Sequence, residues 1–153
     1  MLEEVFSEVY QKFKLNFYRG IFEQLQDRES SLSASEAFAV EVINALHEPT
    51  IGQFARSLHI SQPNATYKVN ALIRKGYVER VVSATDRREY HLRTTPHFQK
   101  YYAINQRYLD VVMERIRMRF SEQETAQLEQ MLTIISTELM PEADRMITEQ
   151  EPA

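Results

Sequence analysis

Residues 60–95 read ISQPNATYKVNALIRKGYVERVVSATDRREYHLRTT, and the order of signals within them decides the fold. Ser61 is a candidate N-cap; Ala65, Val69, Leu72 and Ile73 recur at helical spacing, and Gly76 follows where a left-handed cap is favoured. Tyr77–Val82 and Tyr90–Arg93 are short β-prone runs around the polar stretch Ser83–Glu89, which predicts a hairpin with a polar tip. Upstream, Ile51, Phe54, Ala55 and Leu58 outline a shorter helix that starts at the capping box Thr50-Ile51-Gly52-Gln53. Short helix, three-residue turn, helix, glycine and hairpin, in that order, outline a winged helix-turn-helix.

Helical signals continue on both sides. Ser33-Ala34-Ser35-Glu36 and Ser121-Glu122-Gln123-Glu124 are two more capping boxes, and Thr95-Pro96 places proline at a first helical position, where its missing N–H costs nothing. Phe6, Val9, Tyr10, Phe13, Phe17, Ile21 and Leu25 form the stripe of a long N-terminal helix. Phe38, Ala39, Val42, Ala45 and Leu46 suggest the apolar face of a second helix, ended by Pro49. A fifth helix from Pro96 carries Tyr101, Ile104, Tyr108, Val111, Val112, Ile116 and Phe120; at ~1.5 Å per residue its roughly 25 residues reach about 37 Å. Leu128, Met131, Leu132, Ile135 and Leu139 mark a sixth, disturbed at Pro141. The expected fold is mostly α with a small β-hairpin wing. Residues 1–30 and 96–153 would supply dimerisation helices around a DNA-binding lobe at 31–95, all in one intertwined domain.

At 153 residues and 18.0 kDa the chain is the size of one ordinary domain, and 43% hydrophobic content fits a globular fold. The absence of Cys excludes disulfides, thiolate catalysis, thiol redox sensing and zinc–thiolate sites together. His47, His59, His91 and His97 include no i, i+4 pair, so neither a metal nor a cofactor is expected. Met1-Leu2-Glu3-Glu4 lacks the features of a secretory signal, and no apolar run approaches the ~18 residues that span a bilayer; a cytoplasmic protein is expected. The net charge of −4 hides a division. Between Ser61 and Arg93, seven basic residues face three acidic ones, giving +4, while the remaining 120 residues carry eleven against nineteen, or −8. A basic lobe on an acidic body is the footprint of a protein that docks on phosphate with one face.

The run from Ile60-Ser61 through Lys75-Gly76-Tyr77-Val78-Glu79-Arg80, then Asp86-Arg87-Arg88, Leu92 and Thr95, resembles the MarR family of bacterial transcription regulators. The shared pattern is a recognition helix ending in a basic pair and Gly, a hydrophobic strand ending in Arg, and an Asp-x-Arg wing tip. Three positions depart from it: Lys68 stands at a usually apolar place, Thr94 replaces the usual Leu, and Phe98 sits where a Lys-Gly step is common.

On a helical wheel Ala65, Val69 and Leu72 face inward, leaving Pro63, Asn64, Tyr67, Asn70, Ala71 and Arg74 on the other side. Asn64 and Tyr67 are the candidates for base edges, with Pro63 or Thr66 against a thymine methyl. Gln62, Lys68, Arg74 and Lys75 are the candidates for phosphates, which fix register without reading sequence. The resemblance implies that Arg88 enters the minor groove, where A·T-rich tracts concentrate negative potential, with Asp86 orienting it and Arg87 on the backbone. It further implies a homodimeric, ligand-responsive repressor on a pseudo-palindromic operator, with recognition helices about 34–36 Å apart. In the family, small ligands bind between the dimer helices and the DNA lobe; Tyr10, Phe13, Phe17, Phe38 and Tyr101 are the candidates here, although aromatics at helical spacing also build cores. A winged-helix protein–protein module is the alternative, one that would not need Arg87 and Arg88 beside a basic helix. Enzyme chemistry is not indicated: Glu36 and Glu41, or Glu138 and Glu142, lie on helix faces without a neighbouring His, Lys cluster or nucleophile.

Overall fold

The computed structural model of the chain describes residues 1–26 and 32–148. The side chains of Leu25 and Ile104, and the expected boundary at 30/31, lie outside the described residues. The elements run α1 (Leu2–Gln26), α2 (Ala34–Ala45), α3 (Ile51–Ser57), α4 (Gln62–Arg74), β1 (Val78–Val82), β2 (Tyr90–Thr94), α5 (Pro96–Arg119), α6 (Glu122–Glu138) and α7 (Pro141–Thr148). They fall into two compact units, residues 1–105 and 106–153.

Local chemistry sets the helix boundaries in the first unit. Ser33 and Thr50 each accept the N3 amide while Glu36 and Gln53 accept the cap residue's own amide, so both capping boxes close. Ser61 caps α4 through the Asn64 amide despite Pro63 in the first turn. The helix ends share one device. Gly76 at φ +80 lets its amide reach Ile73 O and the Tyr77 amide reach Leu72 O, a Schellman closure of α4. His59 (φ 52) closes α3 in the same way, on Arg56 O and Ala55 O, and so makes the turn of the helix-turn-helix. His47 (φ 52) and Glu48 (φ 60) end α2 before Pro49 does.

One core joins these pieces. Val40 and Ile43 of α2, Phe54 of α3, Val69 and Leu72 of α4, Tyr77, Val78, Leu92 and Phe98 are all buried in it. The hairpin is antiparallel, with Val78 opposite Thr94 and Val82 opposite Tyr90, and its inner face carries Val78 and Leu92 into the core. Two assignments change. The buried face of α2 is Ala37, Ala39, Val40 and Ile43, with Leu46 just beyond, whereas Phe38 is 45% exposed and Ala45 is exposed; the core takes the β-branched side and leaves the aromatic one outside. Ala71, expected on the outer side of α4, is only 5% exposed, because the inward stripe is wide enough to include a small residue beside Leu72.

The departures at Lys68, Thr94 and Phe98 each have a local partner. Phe98 fills the core, 2% exposed, with Tyr102 beside it at 5.7 Å between rings. Thr94 accepts from Gln99 (3.1 Å) and donates to Asn44 (3.4 Å), and Lys68 donates to the Ser35 hydroxyl.

In the second unit, α6 starts at the closed capping box of Ser121 and Glu124 and buries no residue. Leu128 and Leu132 with Met113 and Ile116 of α5 line an open groove of roughly 440 Å³. Pro141 begins the separate helix α7 rather than merely ending α6, since proline suits a first helical turn.

Candidate nucleic-acid interface

The outer side of α4 is assembled from residues the core does not need. Gln62, Pro63 and Asn64 are exposed in its first turn, and Tyr67 stands 73% exposed one turn on. Thr66 is half-buried and donates its hydroxyl back to Gln62 O at 2.9 Å. A helix N-terminus with a neutral amide, a proline and a phenol has the right chemistry for base edges.

The hairpin tip is organised by its own hydrogen bonds. Asp86 Oδ1 accepts the Arg88 amide at 2.9 Å, Glu89 N reaches Asp86 O at 3.1 Å, and Ser83 N reaches Glu89 O at 3.0 Å. Asp86 therefore shapes the backbone that presents Arg88 rather than gripping its guanidinium. Arg87 and Arg88 are both exposed at this tip.

The seven basic residues separate into two groups. Lys75 pairs with Glu36 at 2.6 Å, Arg93 pairs with Glu48, Lys68 bonds Ser35, and Arg80 donates to Asn70 Oδ1 at 2.7 Å. Arg74, Arg87 and Arg88 have no protein partner among the described residues, so these three are available to phosphate without breaking a contact. Glu36 is the most enclosed of the acidic partners. Partial burial pushes its carboxyl up, but hydrogen bonds from Lys75 and the Ser33 amide outweigh that and hold it below the ordinary carboxylate value. Glu48 is lowered by the hydrogen bond from Arg93, against a smaller opposing effect of burial. The sequence read Glu36 as a cap and as a carboxylate on a helix face, and the partners of Lys68 and Lys75 lie 33 and 39 residues away, beyond any local signal.

The five aromatic candidates for an effector site do not share one wall. Phe17 and Phe38 approach to 6.5 Å between rings, and Phe13 is half-buried. Tyr10 is exposed with the Lys14 ammonium 4.6 Å over its ring, and Tyr101 packs on Tyr77 (5.6 Å) and His97 (5.7 Å). A polar cavity of roughly 480 Å³ lies elsewhere, between Asn44, His47, Glu48, Arg93, Thr94 and Gln99. Among the described residues no group of three His, Asp or Glu could hold a metal, and no helix is long and apolar enough to cross a membrane.

Known proteins with this arrangement are transcription regulators. Residues 30–89 match the MarR family. FabT of Streptococcus pneumoniae, solved in complex with DNA, is 26% identical over 91% of this chain and 97% of its own, with a TM-score of 0.57. A mutant of S. aureus MepR bound to an oligodeoxyribonucleotide is 18% identical over 92% and 99% of the two chains, at a TM-score of 0.51. MepR bound to ethidium bromide gives 18% identity over 92% and 97%, at 0.55. Among curated proteins none matches the chain. With a winged helix-turn-helix that leaves Tyr67, Arg74, Arg87 and Arg88 to solvent, and with residues 30–89 matching the MarR family, the chain is a DNA-binding transcription regulator similar to the members of that family.

Proposed function

We propose that the chain is a homodimeric repressor that lays α4 in the major groove and the wing in the minor groove of a pseudo-palindromic operator. The observation that carries this is the division of the basic residues: two ion pairs and two hydrogen bonds within the lobe occupy four of the seven, and the three left over all lie on the two elements that reach DNA in this fold. Asn64 and Tyr67 read base edges, Pro63 and the Thr66 methyl meet thymine, and Arg74, Arg87 and the exposed Gln62 amide hold phosphates. Arg88, presented by Asp86, enters the minor groove. Lys68 and Lys75 serve first inside the lobe and reach phosphate only by releasing Ser35 and Glu36.

The dimer follows from surface that one chain leaves uncovered. Leu2, Val5, Phe6 and Val9 of α1, and Met131, Leu132 and Ile134 of α6, are all exposed. A second copy of the same helices is the cover that matches them in kind. Ligand control is proposed at the Phe17–Phe38 edge, with Phe13 beside it, because an aromatic surface left open on α2 suits a flat apolar ligand. The ethidium-bound MepR is an instance of this fold taking an aromatic cation. The regulator works in the cytoplasm, where its duplex is.

In vitro selection of duplexes from a random pool tests the reading. It should return a two-fold motif with half-sites about one helical turn apart, bound with an affinity that falls steeply with salt. Failure to enrich any motif would leave the protein–protein module as the better account. Sedimentation should give a dimer at tens of micromolar, and a monomer there defeats that part.

A further inference from the structure

A two-stranded hairpin is marginal alone and needs bracing against its neighbours. One edge of this wing is fastened to the turn between α2 and α3: the Leu92 amide donates to Pro49 O at 2.8 Å, His91 Nδ1 lies 2.9 Å from Glu48 O, and Arg93 pairs with the Glu48 carboxylate. A second brace reaches the recognition helix itself. Strand alternation puts Arg80 on the same face as Val78 and Val82, directly opposite Leu92 and diagonal to Tyr90. From there the guanidinium donates to Asn70 Oδ1 at 2.7 Å and lies 4.8 Å over the Tyr90 ring. Asn70 shares the outer stripe of α4 with Tyr67 and Arg74, one turn from each.

We propose that Arg80 is a positioning residue for DNA recognition: bridging Asn70 of α4 and Tyr90 of β2, it sets the angle of the wing to the recognition helix, so that Tyr67 and Arg88 arrive in neighbouring grooves together. The inference rests on the reading of α4 and the wing as the DNA-contacting elements. By its charge alone Arg80 counts as a phosphate ligand, and Asn70 stands on the outer side of α4; the bridge occupies both groups with each other. Arg80 is the third of five residues in β1, below the tip that carries Arg88. A small tilt at that level is therefore magnified where the minor groove is entered.

The test uses the full chain and the duplex it recovers from a random pool. Arg80→Met keeps the aliphatic stem and removes the guanidinium, while Asn70→Ala removes the acceptor on an exposed helix face. Each should weaken binding about tenfold or more, and because both act only through the placement of the wing, the two should share one slope of log K against log salt concentration. Arg88→Ala should cost much less in the Arg80→Met background than in the parent chain, since a wing already misplaced has little left to lose. A slope shallower in Arg80→Met than in Asn70→Ala by about 1.8, two lost contacts per dimer, would make Arg80 a phosphate ligand and overturn the proposal. Unchanged affinity in either variant, or full additivity with Arg88→Ala, would overturn it as well. Should Arg80→Met not fold, Asn70→Ala carries the affinity and additivity readouts. If the parent chain selects no duplex, the reading of α4 and the wing fails first and takes this inference with it.

Discussion

The ion pair between Lys75 and Glu36 makes a measurable claim about stability. It joins the C-cap of the recognition helix to the first turn of α2 at 2.6 Å, with 30% and 16% of the two side chains exposed. Fully exposed pairs contribute about 0.2–1 kcal/mol, and breaking a buried one costs about 3–5 kcal/mol. A pair enclosed to this degree, whose carboxylate keeps its Ser33 amide after the lysine is gone, falls between them, at about 1.5–2.5 kcal/mol. Lys75→Met keeps the stem that packs on the lobe and removes only the charge. At neutral pH it should lower the unfolding free energy by that amount, or the melting temperature by about 4–8 °C for a chain of this size. Glu36 titrates below its ordinary value in the folded chain, so the contribution is complete above the carboxylate range and is lost as the pH falls through the folded value. Urea unfolding at fixed protein concentration, at pH 7 and again stepwise toward pH 3, measures both effects. The deficit of Lys75→Met should shrink as the pH drops. A deficit that stays constant with pH, or one below about 0.3 kcal/mol at pH 7, would refute the reasoning.

Other substitutions separate reading from folding. Arg88→Ala should weaken binding to the selected duplex strongly while the melting temperature stays within about two degrees, since Arg88 is exposed and outside the core; unchanged affinity at near-physiological salt would remove Arg88 from the minor groove. Tyr67→Ala should cost about 1–3 kcal/mol of discrimination at one or two base pairs, and an unaltered motif on repeating the selection would exclude base contact. Leu92→Ala, at a fully buried site, should cost about 2–5 kcal/mol in chemical denaturation. A loss under about 1 kcal/mol there would mean that the wing is not held by the core as described.

Helix starts were legible because their chemistry is local: a hydroxyl and a carboxylate or amide three residues apart close the boxes at Ser33, Thr50 and Ser121 wherever the helix goes next. The glycine closure at Gly76 and the hairpin after it were legible for the same reason. Faces were less so. Periodicity gives the stripe of α2 but only roughly its phase: Ala39, Val42 and Leu46 do meet the core, while weighting the large Phe38 over Ile43 turned the face too far. Pro141 was ambiguous because proline marks the end of one helix and the beginning of another with equal ease. At the interface, sequence located the basic residues and not their partners. Whether Lys75 or Arg74 is available to DNA depends on Glu36, brought alongside only by the packing of α2 on α4.

Thr95 donates its hydroxyl to Gly76 O at 2.5 Å and its amide to Tyr77 O at 3.0 Å, which brings the first and last residues of the hairpin together at one point beneath it. This clasp closes the base of the hairpin, and the braces to Pro49, Glu48 and Asn70 hold its strands, so that only the tip projects free of them. Residues added or removed near Ala84 and Thr85 would alter how far the tip extends, at a loop-closure cost of only a few tenths of a kcal/mol. The helices below would not register the change. Wing length and tip composition can thus drift through generations almost independently of the folded body, and new operators can be sampled without first surviving a loss of stability.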